Sequence, residues 1–214
     1  MGVVLIQRRI GIMGGTFDPI HYGHLVTAEV ARARFHLDEV IFVPAGLPPH
    51  KQNNDITMAW HRYHLTLLAT GTNPYFTVSD LELRRQGPSY TIDTIGDVRE
   101  QGLAKGEDRE IFFITGADAI LEIMTWHRVA DLLAQCSFIA ATRPGYQLDH
   151  LALSPVMAKS IHFMEVPALA ISSTDIRRRL ASGEPIKYLL PEAESFWTRP
   201  SCSARNSTAA RIMI

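Results

Sequence analysis

Two cysteines in 214 residues are too few for a disulfide framework. Cys136 falls in an expected strand and Cys202 in a polar C-terminal stretch, so the pair is not expected to bridge. An excess of charge is missing too. The 21 Lys and Arg against 22 Asp and Glu leave a formal net charge of −1, and no global field draws the chain to nucleic acid or to a membrane. No run approaches the ~20 apolar residues of a membrane span. Val3 to Ile6 is far too short for a secretory core and is followed by Arg8-Arg9 instead of a cleavage site. Repeats, linkers and low-complexity segments are absent before the last residues. These absences point to one cytoplasmic globular domain, and a hydrophobic content of 46% supplies its core.

Apolar runs alternate with helical patterns along the chain. Ile10 to Met13, Val40 to Val43, Phe76 to Val78, Ile111 to Ile114, Phe138 to Ala141 and Ile161 to Val166 read as strands. Helices are expected over His21 to Phe35, over Thr57 to Thr70 with Met58, Leu65 and Leu68 on its apolar face, and over Ser89 to Glu100, with Gly102 to Arg109 as a loop. Strands that alternate with helices predict an α/β fold, a doubly wound, mostly parallel sheet with helices on both faces. Residues 9–197 form the expected domain. Residues 1–8 read as an N-terminal extension and residues 198–214 as a polar, flexible tail. Homo-oligomer formation is left open.

Ligands on such sheets meet the carboxyl ends of the strands. After the first strand comes Gly14-Gly15-Thr16-Phe17-Asp18-Pro19-Ile20-His21-Tyr22-Gly23-His24. Asp18 suits a helix cap and Pro19 a first helical position, and a glycine turn into a helix start is an anion site. His21 and His24, three apart, share one helix face, and Gly23 between them leaves a side-chain-free patch for a flat ring. Two histidines without a locally spaced third ligand are too few for a metal centre. An isolated H-x-G-H could equally be a capped helix with two surface histidines; the preceding G-G-T-F-D-P tilts it toward phosphate chemistry.

Other strand ends carry polar groups. Pro44-Ala-Gly-Leu-Pro-Pro-His-Lys51 is a stiff loop whose lysine is either a solvated cation, the usual case, or a hand over phosphates. Ser172, Ser173 and Thr174 start a helix, with Arg177 on its first turns. This is either a good cap with a basic face or a second phosphate cradle opposed to the first. Trp126 could stack a ring near the helix start at Tyr90-Thr91, although a lone Trp is most often core.

The motifs G-G-T-F-D-P-I-H-Y-G-H-L, P-P-H-K, S-Y-T-I-D-T, G-A-D with the following Trp126, and I-S-S-T-D-I-R resemble, in order and spacing, those of the bacterial nicotinate-nucleotide adenylyltransferases, over Ile10 to Phe196. The resemblance implies a Rossmann-like nucleotidyltransferase fold. It implies adenylyl transfer from Mg-ATP to nicotinate mononucleotide, giving nicotinate adenine dinucleotide and pyrophosphate in NAD biosynthesis. By the same resemblance His21, His24 and Arg177 are catalytic. Gly14, Gly15, Thr16, Phe17, Gly23, Lys51, Gly116, Asp118, Ser172, Ser173 and Thr174 meet ATP or phosphate. Tyr90, Thr91 and Trp126 hold the mononucleotide, and Mg2+ rides mainly on substrate phosphates. The alternatives are a sister adenylyl- or cytidylyltransferase with another phosphorylated acceptor, or a catalytically silent nucleotide sensor.

Overall fold

A computed structural model describes residues 4–47, 56–145, 155–167 and 169–192. Its elements run β1 (Ile6–Gly15), α1 (Tyr22–Arg34), β2 (Glu39–Pro44), α2 (Ala59–Thr70), β3 (Phe76–Val78), α3 (Leu81–Arg84), α4 (Thr91–Ala104) and β4 (Glu107–Gly116). They continue with α5 (Ala117–Leu121), a 3₁₀ turn at Ile123–Thr125, α6 (Val129–Gln135), β5 (Ser137–Thr142), α7 (Pro155–Ser160), β6 (Ile161–Glu165) and α8 (Ser173–Ala181). The six strands form one sheet of order β3-β2-β1-β4-β5-β6, with every pair parallel. The chain reverses its winding between β1 and β4, which places the switch point of a doubly wound sheet there.

Strand alternation divides the core. Ile10, Ile12, Ile41, Val43, Ile111, Phe113, Phe138 and Ala140 face one layer with Ile92, Ile95 and Val98 of α4 and Leu132 of α6. Met13, Val40, Phe42, Phe112, Ile114, Ile139 and Met164 face the other, with Ala28 and Ala31 of α1 and Ala69 of α2. Both faces are covered, which is why the strands read as continuous apolar runs.

Three local expectations need correction. β1 begins at Ile6, so residues 6–8 of the expected extension pair with Glu107, Asp108 and Arg109 of β4. The expected loop from Gly102 to Arg109 shrinks to a turn, because α4 runs on to Ala104 and β4 starts at Glu107. On α2 the buried residues are Arg62, Thr66, Ala69 and Thr70, while Met58 and Leu68 lie at the surface. The threonine hydroxyls are buried at little cost because each donates to a carbonyl four residues back, Thr66 to Arg62 at 2.7 Å and Thr70 to Thr66 at 2.8 Å. Arg62 spends its charge on the loops at the top of the sheet. Lys51 and the 198–214 tail lie outside the described residues. Among those described, no helix is long and apolar enough to cross a membrane.

Candidate active site

The helix after β1 starts later than the sequence suggests. Its N-cap is His21, not Asp18, and the Asp18-Pro19 peptide is cis. The groups of Asp18 and Pro19 are engaged outside the helix. The Asp18 carboxylate accepts from the Thr57 N–H at 3.2 Å, the Asp18 carbonyl accepts from Arg177, and the Pro19 carbonyl accepts from the Ser173 hydroxyl at 2.9 Å. A cap at His21 pulls its imidazole back over the helix entry. The His24 ring stacks on it, with centroids 3.8 Å apart and planes at 29°.

The His21 backbone N–H donates to Nδ1 of His24 at 3.2 Å. With Nδ1 an acceptor, the proton of neutral His24 sits on Nε2. Nδ1 of His21 turns back toward Gly23 and the His24 N–H in a capping-box arrangement, buried and without a well-formed hydrogen bond among the described residues. Burial lowers the pKa of His21 to about 4, and burial together with the neighbouring His21 lowers that of His24 to about 3. At neutral pH both rings are therefore uncharged.

Gly23 has a different use from the one expected. A Cβ there would stand 2.9 Å from Nδ1 and 3.0 Å from Cε1 of His21. The histidine ring itself fills the space proposed for a flat ligand ring, so Gly23 lets His21 fold back. Phe17 adopts φ 48°, sparsely populated for a residue with a side chain. Its buried ring meets the His24 ring edge-on at 5.1 Å and the Phe42 ring at 5.9 Å. Any contact of Phe17 with phosphate is therefore left to its backbone.

A cleft of about 460 Å³ opens at the carboxyl ends of β1, β4, β5 and β6. It brings together Gly14, His21, Gly23, His24, Gly116 and Asp118 of the expected set. A Cβ on Gly116 would meet nothing within 4 Å, which leaves open backbone facing the cleft. Thr27, Thr142 and Arg143 also line it outside the expected site set, although the turn from Arg143 to Gly145 is one of the strand ends where a ligand is expected. The signal for Arg143 was its place at the end of the β5 run; Thr27, one turn beyond His24, gave none.

Gly15, Thr16, Ser172, Ser173, Thr174 and Arg177 do not line the cleft, although Ile171 does. The start of α8 is bonded to the loop before α1. Ser172 is its N-cap, accepting from the Asp175 N–H at 3.1 Å, while Ser173 and Arg177 reach the loop before α1. Tyr90 caps α4 and Thr91 opens it. Tyr90 lies 4.4 Å from the His127 ring, and Trp126 packs edge-on against Phe113 and Phe138 at 5.9 and 6.0 Å. These aromatics form a second neighbourhood beside the cleft, with Trp126 half-buried against the core as much as offered to a ligand.

The histidines make stability depend on pH. An unfolded histidine titrates near 6.5, far above the folded values of about 4 and about 3. Between about pH 6.5 and 3 the folded chain therefore binds fewer protons than the unfolded chain, and stability falls as the pH is lowered through that window. For His21 alone the whole window amounts to roughly 3 kcal/mol. Thermal unfolding of wild type should show a steeper loss between pH 6.5 and 4 than that of a His21→Asn, His24→Asn double variant. Parallel slopes would contradict the burial argument.

A parallel sheet whose switch point is mouthed by two stacked, neutral histidines on one helix entry defines a nucleotide-binding α/β protein of the H-x-G-H class. A model of cytidylyltransferase-like proteins matches residues 12–179. A Moorella thermoacetica protein named "Probable nicotinate-nucleotide adenylyltransferase" is 58% identical over 204 residues, 93% of each chain. A relative of the same name from a Thermoanaerobacter species is 55% identical over 87% of this chain and 90% of its own. The solved structure of the Plasmodium falciparum nicotinic acid mononucleotide adenylyltransferase complexed with NaAD superposes with a TM-score of 0.66 at 22% identity, covering 84% of this chain and 87% of that one. The chain belongs to the nicotinate-nucleotide adenylyltransferase family, within the cytidylyltransferase-like nucleotidyltransferases.

Proposed function

We propose that the protein transfers the adenylyl group of ATP to nicotinate mononucleotide, forming nicotinate adenine dinucleotide and pyrophosphate. The 5'-phosphate of the mononucleotide attacks the α-phosphorus, the new P–O bond forms, and the bond to the bridging oxygen breaks. The electron pair leaves with pyrophosphate. Family membership supports the reading, and the structural observation that carries it is the pair of stacked histidines at the helix entry, His24 with its Nε2 left as a donor, lining one cleft with Gly14 and Gly116.

A phosphate monoester is ionised at neutral pH and needs no general base. Catalysis then consists of aligning two polyanions and neutralising charge that spreads over the α-phosphate oxygens. His24 offers its Nε2–H, and His21 becomes a second donor on taking a proton from the medium as the phosphates arrive. Gly14 to Phe17 guide the phosphates with backbone N–H groups; Gly116 and Asp118 meet a ribose. Lys51 reaches phosphate oxygens, and Ser172, Ser173, Thr174 and Arg177 hold the outgoing pyrophosphate at the rim of the cleft, next to Ile171, which lines it.

Mg2+ enters with the triphosphate. Among the described residues no group of three or more His, Cys, Asp or Glu side chains could hold a metal ion, and Asp118 is the one carboxylate lining the cleft. That donor set fits an ion coordinated mostly by substrate oxygens and water. Bound there, it offsets triphosphate charge.

Tyr90, Thr91 and Trp126 hold the nicotinate ring, with backbone N–H groups at the start of α4 facing its carboxylate. A carboxamide must aim its NH2 at one of those donors, a conflict worth ~1 to 3 kcal/mol or roughly ten- to a hundred-fold in kcat/KM. The test is pyrophosphate release from Mg-ATP with nicotinate mononucleotide, nicotinamide mononucleotide and 4'-phosphopantetheine in parallel. Strong release with the acid and at least ~10-fold less with the amide is expected. Equal rates on the two mononucleotides overturn the acid-specific assignment. Release with 4'-phosphopantetheine alone assigns a sister transferase, and ATP binding without release assigns a sensor.

A further inference from the structure

Arg62 and Glu82 have no part in the chemistry above, yet they are among the most deeply buried charged side chains, at 1% and 9% exposure. The Arg62 guanidinium reaches backbone carbonyls. Nε donates to Thr57 at 2.8 Å, Nη1 to Thr16 at 2.7 Å, and Nη2 to Ala45 at 2.7 Å and Gly46 at 3.4 Å. Thr16 follows β1, and Ala45 and Gly46 follow β2. One side chain thus ties together the two loops that leave neighbouring strands at their ligand-binding ends.

The tie continues through Glu82. A Cβ on Gly46 would lie 2.2 Å from the Glu82 carbonyl oxygen, so the two backbones meet where only glycine fits. The Thr94 hydroxyl, on the first turn of α4, donates to Oε1 of Glu82 at 2.7 Å, and Arg85 donates to the same hydroxyl at 3.2 Å. Burial raises the Glu82 carboxyl above its ordinary range, against the hydrogen bond from Thr94 and the charge of Arg85. A connected path therefore runs from the phosphate loop at Thr16 to the helix that starts with Tyr90 and Thr91. Thr16, Ala45, Gly46, Thr57 and Thr94, which Arg62 and Glu82 grip, all lie outside the lining of the nucleotide cleft.

We infer that Arg62, acting with Glu82, is a positioning residue that sets the acceptor half of the site, fixing the β1 and β2 loops against the start of α4. The inference rests on the acceptor reading above. A planar fork with donors pointing several ways can span carbonyls of separate loops; an ammonium, whose donors radiate from one atom, cannot. The grip acts on the β2 side of the switch point, away from the ends of β5 and β6, and touches the phosphate path only at the Thr16 carbonyl, so the ATP half of the site rests mainly on α1 and the ends of β4 and β5.

The test uses full-length Arg62→Lys and Glu82→Gln, with steady-state pyrophosphate release measured against each substrate in turn and binding of a non-hydrolysable ATP analogue measured by calorimetry. The KM for nicotinate mononucleotide should rise at least ~10-fold in Arg62→Lys, while the KM for ATP and the analogue affinity stay within about two-fold. In Arg62→Gly, millimolar guanidinium should restore the mononucleotide KM and the same concentration of methylammonium should not. Equal rises in both KM values, or a loss of active protein with both KM values unchanged, overturn the proposal. If the Arg62 variants do not fold, near-isosteric Glu82→Gln decides it by the same split. A wild-type chain inactive on nicotinate mononucleotide overturns the acceptor reading and this proposal with it; an active one with unsplit KM values in the variants overturns this proposal alone.

Discussion

Replacing His24 by alanine should lower turnover by at least ~100-fold, the scale for losing one preorganised donor at a developing oxyanion. The effect is concentrated in kcat, because charge gathers on the α-phosphate oxygens in the transition state and a donor built for them contributes little to the ground state. The substitution also removes the acceptor for the His21 N–H and the ring stacked on His21. Losing such a cap costs ~1 kcal/mol, a drop of a few degrees in the thermal midpoint that leaves the chain folded. Pyrophosphate release at saturating substrates, with circular dichroism on the same preparations, checks both statements. Near-normal turnover would remove His24 from the mechanism.

A loss of similar size is expected at Arg177. Its guanidinium binds the Asp18 carbonyl and lies 3.5 Å from the Thr174 hydroxyl, so it joins α8 to the loop that leads into the helix of His21 and His24. Arg177→Ala should reduce kcat/KM by ~100-fold. Arg177→Lys keeps the charge and loses the planar fork, and should recover no more than about a tenth of wild-type activity. Single-turnover measurements of dinucleotide formation separate chemistry from product release. If Arg177→Lys matches wild type, charge alone suffices and the bond to Asp18 is incidental.

Much of this was readable before any coordinates. The six strands fell where apolar runs predicted them, because strands buried on both faces need no alternation with polar residues, and they paired in parallel because helices follow them. The motif resemblance to the nicotinate-nucleotide adenylyltransferases matches the family assignment. His21, His24, Gly14, Gly23, Gly116 and Asp118 were all expected at one site, and all line one cleft.

Other features could not be read locally. The burial of Arg62 ran against its residue type: the helix shows Leu65, Leu67 and Leu68 to the eye, and only the carbonyls of Thr16, Ala45 and Gly46, far away in sequence, make a buried guanidinium affordable. The cap at His21 was hidden for a similar reason. Asp18 and Pro19 look like a helix start until Arg177 and Ser173, more than 150 residues on, claim their carbonyls. Gly23 seemed to open space for a ligand because nothing in H-x-G-H says that the first histidine folds back over the glycine.

The sequence by itself determined the sheet, its parallel winding and the polar and glycine-rich turns gathered at its carboxyl end, since burial periodicity and turn chemistry act between near neighbours. Only the tertiary structure decided which carbonyls Arg62 and Arg177 hold, that α8 is bonded to the loop before α1, and that the two histidines stack with their rings largely buried. Those outcomes depend on groups brought together from distant parts of the chain, and the exclusion of water that lowers a histidine pKa exists only once they have met.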